Sequence, residues 1–331
     1  MRPTSLVSII FLCSSVICGP HTHNKQKDGS GKERESDGAY GPRDRDHFAD
    51  EEHNVEFDHE AILGSKDEAE TFDRLSPSEA KSRLKILAEK MDESRDGFID
   101  KKELTDWILK SFRKLTEEEA NEQMEDDDVN EDGRISWDEH KSETYGIYND
   151  NELTPDTDEN SDYQMLRNEE QLFKKADLNN DGYLDKSEFP AFTHPEEFEH
   201  MHDTLYEQTM QKKDKNKDGY LSLEEYVANS NGKVSTLGSE DYIVEKDRFD
   251  TDYDKNRDGK LSKEEVLLWL IPNNNDIAES EADHLIDSSD ANKDGKLSIQ
   301  EIVDHHEIFV GSEATDFGEH LHNTHKFDDE L

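Results

Sequence analysis

A twelve-residue pattern, D-x-[NS]-x-D-G-x-[IL]-x-x-x-E, recurs six times, beginning at Asp92, Asp128, Asp177, Asp214, Asp254 and Asp290. Nothing else in the chain constrains its folding as strongly. Positions 1, 3 and 5 carry short oxygen-bearing side chains: Asp92, Ser94, Asp96; Asp128, Asn130, Asp132; Asp177, Asn179, Asp181; Asp214, Asn216, Asp218; Asp254, Asn256, Asp258; Asp290, Asn292, Asp294. Position 6 is Gly in every copy, where the chain must turn sharply and only a residue without Cβ does so at little cost. Position 7 offers its backbone carbonyl, so its side chain is free to vary, as Phe98, Arg134, Tyr183, Tyr220, Lys260 and Lys296 do. Position 12 is always Glu (Glu103, Glu139, Glu188, Glu225, Glu265, Glu301), long enough to reach back from a following helix with both oxygens. Oxygens at alternate positions, closed by a bidentate carboxylate, suit a hard cation that takes about six to eight oxygen ligands; calcium fits this description.

This is the pattern of the EF-hand loop. One acidic, Gly-punctuated turn is unremarkable in an acidic protein, but six copies with turn glycine and closing glutamate intact are not chance. Position 9 is Asp100, Ser136, Asp185, Ser222, Ser262 and Ser298, each three residues before the closing Glu. That is capping-box spacing, so the residues that finish the cation shell also start the outgoing helix. Position 8 is always Ile or Leu, as a short strand between partner loops requires. The expected fold is all-α: six helix-loop-helix units in three pairs, with short strand pairing between loops and room for up to six calcium ions.

Loop starts are 36, 49, 37, 40 and 36 residues apart. The short intervals predict pairs of consecutive loops: pair 1 over 76–142 (loops 92–103 and 128–139), pair 2 over 165–228 (177–188 and 214–225) and pair 3 over 241–306 (254–265 and 290–301). Residues 143–164 and 229–240, rich in turn formers, then read as linkers. Residues 20–75 read as a polar segment, largely disordered, and 307–331 as a tail. Around loop one, Ser76-Pro77-Ser78-Glu79 looks like a helix start, and Leu84, Ile86, Leu87, Met91 and then Leu104, Trp107, Ile108, Phe112 look like core-facing stripes.

With 84 Asp+Glu against 39 Lys+Arg the net charge is −45, which repels phosphate and argues against nucleic acid or anionic membranes as partners. At 31% hydrophobic and 8% aromatic residues, several small cores are expected rather than one large one. Only 6 methionines point to a buffer or scaffold before a sensor with a Met-lined groove. Histidine clusters at His194, His200 and His202, at His305 and His306, and at His320, His322 and His325 lack an H-E-x-x-H arrangement or a cysteine and read as solvated. No nucleophile motif or phosphate-binding loop is visible, so no enzyme is expected.

Residues 1–19 combine a basic start with an apolar run too short to span a bilayer, the form of a secretory signal peptide rather than a membrane insertion. Both cysteines, Cys13 and Cys18, lie there, so the mature protein has no thiol and needs another staple. The terminal Asp328-Asp329-Glu330-Leu331 resembles the KDEL-type address read by a retrieval receptor. Signal peptide, six hands, absent thiols and terminal Asp-Glu-Leu together resemble the reticulocalbin and calumenin (CREC) family. Residues 57–64, 194–197, 245–249, 271–274, 284–287 and 311–318 agree with it. The resemblance implies a low-affinity calcium-binding protein of the endoplasmic reticulum lumen. It would buffer calcium and interact with luminal or secretory-pathway proteins, without catalysis. A secreted calcium-dependent interaction or matrix protein is the alternative.

Overall fold

The structure is a computed structural model that describes residues 38–45, 47–49, 52–147, 162–228 and 239–311. The expected signal segment with Cys13 and Cys18, residues 148–161 and 229–238 of the two linkers, and the DDEL terminus lie outside the described residues.

Among the described residues the fold is all-α, with strands only two residues long. Helices α1 (Val55–Leu63) and α2 (Lys66–Asp73) precede α3 (Pro77–Met91), which enters loop one. Helix α4 (Lys101–Asp127) leaves loop one and runs unbroken into loop two, and α5 (Trp137–Tyr145) leaves it. Helix α6 (Asp162–Ala176) enters loop three, from which α7 (Phe189–Thr193), a 3-10 turn (Pro195–Glu197) and α8 (Glu199–Lys213) lead to loop four. Helix α9 (Leu223–Tyr226) follows, and α10 (Glu240–Arg248), continued by a π turn, enters loop five. Helices α11 (Lys263–Leu270) and α12 (Asn274–Ser289) connect loops five and six, and α13 (Ile299–Asp304) and α14 (His306–Phe309) complete the order.

The strands correct the expected pairing. Besides the β1 (Phe48–Ala49) and β2 (Glu52–His53) ribbon, each loop gives one strand: β3 (Phe98–Ile99), β4 (Ile135–Ser136), β5 (Tyr183–Leu184), β6 (Leu221–Ser222), β7 (Lys260–Leu261) and β8 (Leu297–Ser298). The antiparallel partners are β3 with β8, β4 with β5 and β6 with β7. Loop one therefore pairs with loop six, two with three, and four with five, not one with two, three with four, and five with six. Helix α4 shows the reason most directly. Its 27 residues hold no Gly or Pro, and at about 1.5 Å per residue it keeps loops one and two roughly 40 Å apart. A short interval filled by continuous helix separates its ends. The longer intervals read as linkers between pairs are the connections within them, where slack lets the chain fold back.

Three small hydrophobic clusters follow these pairs. The first joins Leu84, Met91, Leu104, Ile108 and Phe112 to Ala282, Leu285, Ile302 and Phe309. The second holds Met124, Ile135, Phe173, Leu184, Phe189 and Leu205, and the third Leu221, Tyr226, Phe249, Leu261 and Trp269. Of the expected core stripe in α3, Leu84 and Met91 are buried, while Ile86 faces solvent.

The expectation of disorder over 20–75 fails for the described part. Helices α1 and α2 add Ile62, Leu63 and Phe72 to the first cluster. Asn54 caps α1 by accepting the Glu56 N–H, and Gly64 ends it at φ +63°, where a Cβ would lie 2.9 Å from the Ser111 backbone. Upstream, Ala39 packs in the third cluster and Tyr40 in the second. The Tyr40 N–H donates to the Leu270 carbonyl at 3.0 Å. Buried Arg43 meets Glu197 at 2.7 Å and also donates to Thr116 of α4. The described residues between 39 and 54 thus form a strap touching all three modules, with Arg43 also lying over the Phe112 ring of the first. Composition concealed it, because its few anchoring residues are spaced among polar ones.

The middle of α4 bridges the first two modules. Glu119 lies 2.7 Å from Lys66 and 3.2 Å from His194, which is almost fully buried. Burial alone would raise the Glu119 carboxyl, but the His194 and Lys66 contacts and the Arg43 charge outweigh it and hold it at about 2. A carboxyl depressed on folding stabilises above its ordinary pKa and loses that contribution as pH falls through the folded value. Glu119→Gln is expected to lower stability by about 2–3 kcal/mol at neutral pH. Denaturant melts should show wild type and variant converging as pH falls from 4.5 towards about 2.

Candidate metal centres

All six loops share one local geometry. Position 4 lies in the left-handed region at φ 58–62° (Arg95, Glu131, Asn180, Lys217, Arg257, Lys293), and the Gly at position 6 at φ 80–86°. The position 1 carboxylate accepts the N–H of that Gly in each loop, at 2.7–3.0 Å. The position 5 Asp accepts the position 7 N–H at 2.9–3.0 Å throughout. One oxygen of the position 12 Glu takes the position 9 N–H in every loop, at 2.8–3.3 Å. Its other oxygen turns inward to the position 3 N–H in all but loop two, where it accepts from the Asn130 side chain. Hydrogen bonds thus link the residues at positions 1, 3, 5 and 12 around one centre, and the side-chain oxygens there carry several negative charges. This fits a calcium ion.

Backbone donors favour the charged form of two carboxylates in loop six. In loop six the Gly295 N–H, against opposing burial, helps hold Asp290 below its usual range, and the Ser298 N–H does the same for Glu301. In five loops the position 9 side chain also caps the outgoing helix in a full capping box. In loop three Asp185 and Glu188 exchange the same two bonds, but the helix begins later, just before Pro190.

Position 8 explains how two loops become one unit. Ile99 faces Leu297, Ile135 faces Leu184 and Leu221 faces Leu261 across the ladders, and all six are fully buried. Position 7 supplies the pairing signal that spacing missed. Each pair combines one aromatic with one basic residue: Phe98 with Lys296, Tyr183 with Arg134, Tyr220 with Lys260. The basic residue crosses to the position 5 Asp of the partner loop: Lys296 to Asp96 at 3.3 Å, Arg134 to Asp181 at 3.3 Å, Lys260 to Asp218 at 3.0 Å. Lys260 also sits 5.2 Å from the Tyr220 ring centre. Pairing loops five and six would instead have set Lys260 beside Lys296.

Two histidine expectations change. His194 and His306 are buried, with Glu119 and Glu307 as neighbours, while His202 and His305 bond the Glu196 and Glu301 carbonyls. His320, His322 and His325 lie outside the described residues. His140, also buried, sits between Asp127 at 2.9 Å and Glu169 at 3.5 Å. Burial would lower it, but the two carboxylates raise it to about 9, so it clamps α5 to α4 and α6 as a cation.

Comparison with known proteins agrees with this geometry. A family described as "EF-hand domain pair" matches residues 170–229 and 246–305, and one described as "EF hand" matches 89–109. Those paired matches group consecutive hands along the sequence, three with four and five with six, whereas the backbone ladders join two with three and four with five. Loops of this geometry, with those matches, define a calcium-binding protein of the multiple EF-hand class. The chain is 38% identical over 284 residues to reticulocalbin-2 of Crotalus adamanteus, covering 85% of this chain and 93% of the relative. It is 38% identical over 289 residues to reticulocalbin-2 of Mus musculus, covering 86% and 90%. The chain belongs to the reticulocalbin family of EF-hand calcium-binding proteins, which are not enzymes. No described helix is long and apolar enough to cross a membrane.

Proposed function

We propose that this protein is a low-affinity calcium buffer of the endoplasmic reticulum lumen whose calcium-dependent fold engages luminal or secretory-pathway proteins. The observation that carries this reading is the intact donor set and shared geometry of all six loops, none of which has lost its position 1 carboxylate, turn glycine or closing glutamate. The residues at positions 1, 3, 5 and 12 and the position 7 carbonyls would hold up to six ions. A pair of adjacent loops concentrates negative charge that only cations neutralise, and the net charge of −45 keeps the chain selective for them.

Low affinity follows from exposure and from the basic side chains that already partner a position 5 carboxylate in each pair. Calcium must compete with Lys296, Arg134 and Lys260 for Asp96, Asp181 and Asp218. An isotherm centred near 10⁻⁴ to 10⁻³ M is expected, the range of the weaker EF-hand modules. Midpoints below about 10⁻⁶ M, sensor territory, would refute buffering. Retention is tested separately, by asking whether the full chain with its native terminus stays inside cells and a form lacking the last four residues enters the medium. Equal secretion of both favours the extracellular alternative.

A further inference from the structure

Away from the loops, four side chains from distant parts of the sequence meet at one point. His47 and His53 come from the strap, Asp58 from α1 and His284 from α12. Their ligand atoms lie within 4.8 Å of one another. His47 Nε2 is 2.7 Å from Asp58 Oδ1 and 3.1 Å from His53 Nε2. His53 Nε2 is 3.0 Å and His284 Nε2 3.7 Å from Asp58 Oδ2. We propose that these residues form a binding site for a divalent transition-metal cation, zinc foremost, distinct from the calcium loops.

Chemistry and geometry agree. A tetrahedron with arms of about 2.0–2.1 Å has edges of roughly 3.3–3.4 Å; the four separations above, 2.7–3.7 Å, bracket that value, and those from His284 to the other two histidines lie within 4.8 Å, so a metal would draw His284 inward. Three imidazoles and one carboxylate suit zinc, whereas calcium prefers oxygens alone. Every histidine presents the same nitrogen, Nε2, to the centre. Asp58 is fully buried and His47 nearly so, while His284 is half-buried and His53 exposed, so the convergence sits at the edge of the core with one side open to an entering ion. Buried Glu281 lies behind His47, its carboxylate 3.6 Å from Nδ1. That contact is too long for a hydrogen bond as it stands; shortened into one, it would fix the imidazole's tautomer and strengthen it as a ligand, a recurring outer-shell arrangement in zinc sites.

The site would tie the strap to both ends of the folded chain. Asp58 belongs to α1, which packs on the first module, and α12 leads into loop six. A metal here would lock His47 and His53 onto the pair formed by loops one and six, independently of calcium.

The test uses the full chain saturated with calcium, so that the loops are occupied, titrated with zinc at neutral pH. One equivalent is expected to bind tightly and raise the melting temperature, and cobalt(II) in its place should give the intense visible bands of a tetrahedral centre. His284→Ala and the exposed His53→Gln should each weaken zinc binding by roughly tenfold or more. Calcium binding and helix content should be unchanged in His53→Gln, which separates a lost ligand from a lost fold. Glu281→Gln should weaken zinc less while keeping the tetrahedral cobalt spectrum. Absence of zinc binding, or zinc binding that neither histidine variant alters, overturns the proposal, the latter assigning the metal to other histidines.

Discussion

Removing calcium from the full-length protein with a chelator is expected to cut its helical circular dichroism substantially and expand it. The radius of gyration should rise well above the ~20 Å of a compact chain of this length, towards the ~65 Å of an unfolded one. Each module rests on a small hydrophobic cluster and a ladder of two residues per loop, with no cysteine among the described residues to staple it. Against that stand the carboxylates that converge in every loop. At tenfold ligand excess a site adds about 1.4 kcal/mol to stability, so six sites add roughly 8 kcal/mol, comparable with the whole stability of an ordinary domain. Six ions would also reduce the net charge of −45 to −33, with all of the relief concentrated where repulsion is greatest. Scattering and dichroism across a calcium titration measure both changes, and a radius and helix content that ignore chelation would show that apolar packing alone holds the fold.

Removing the closing carboxylate of loop six should damage loop one, its partner in space, and spare loop five, its neighbour in sequence. Glu301→Gln abolishes the bidentate end of loop six and loosens the bonds to Ser298 and Asn292 that set its strand. That strand pairs with β3, where Leu297 meets Ile99, and Lys296 of the same loop reaches Asp96. Coupling between linked sites is typically about 1–3 kcal/mol, so calcium affinity at loop one should fall at least roughly fivefold. Loop five should change by less than about twofold, because no ladder joins it to loop six. Site-resolved titration by NMR, following the downfield amides of Gly97 and Gly259, distinguishes the two. A larger effect at Gly259 would restore the pairing that spacing suggested.

Much of the functional site was legible because EF-hand chemistry is local. The donors, the turn glycine, the capping residue and the closing glutamate all fall within twelve residues, and their roles follow from side-chain reach and backbone sterics. Asp185 and Glu188 show how robust this is: their reciprocal bonds form even though Pro190 delays the helix. The stripes around loop one were readable for the same reason, and Ile86 failed because a helix has one buried face and i+2 does not share it with Leu84. Pairing was misread because loop spacing reports contour length, while α4 converts that length into separation. The aromatic and basic alternation at position 7 did record the partners, but it has meaning only across a ladder.

The sequence alone therefore pointed to calcium, to the oxygen-bearing residues proposed to meet it in each loop and to the start of the helix leaving five of the six loops, since all of these are decided by atoms a few bonds or one turn apart. Tertiary structure alone decided that the last hand closes on the first, that the described residues between 39 and 54 strap three modules together, and that His47, His53 and Asp58 meet His284. Those contacts join positions more than two hundred residues apart. They are chosen by burial, by which faces the rigid helices leave open and by charge across the ladders, quantities that exist only once the chain has folded.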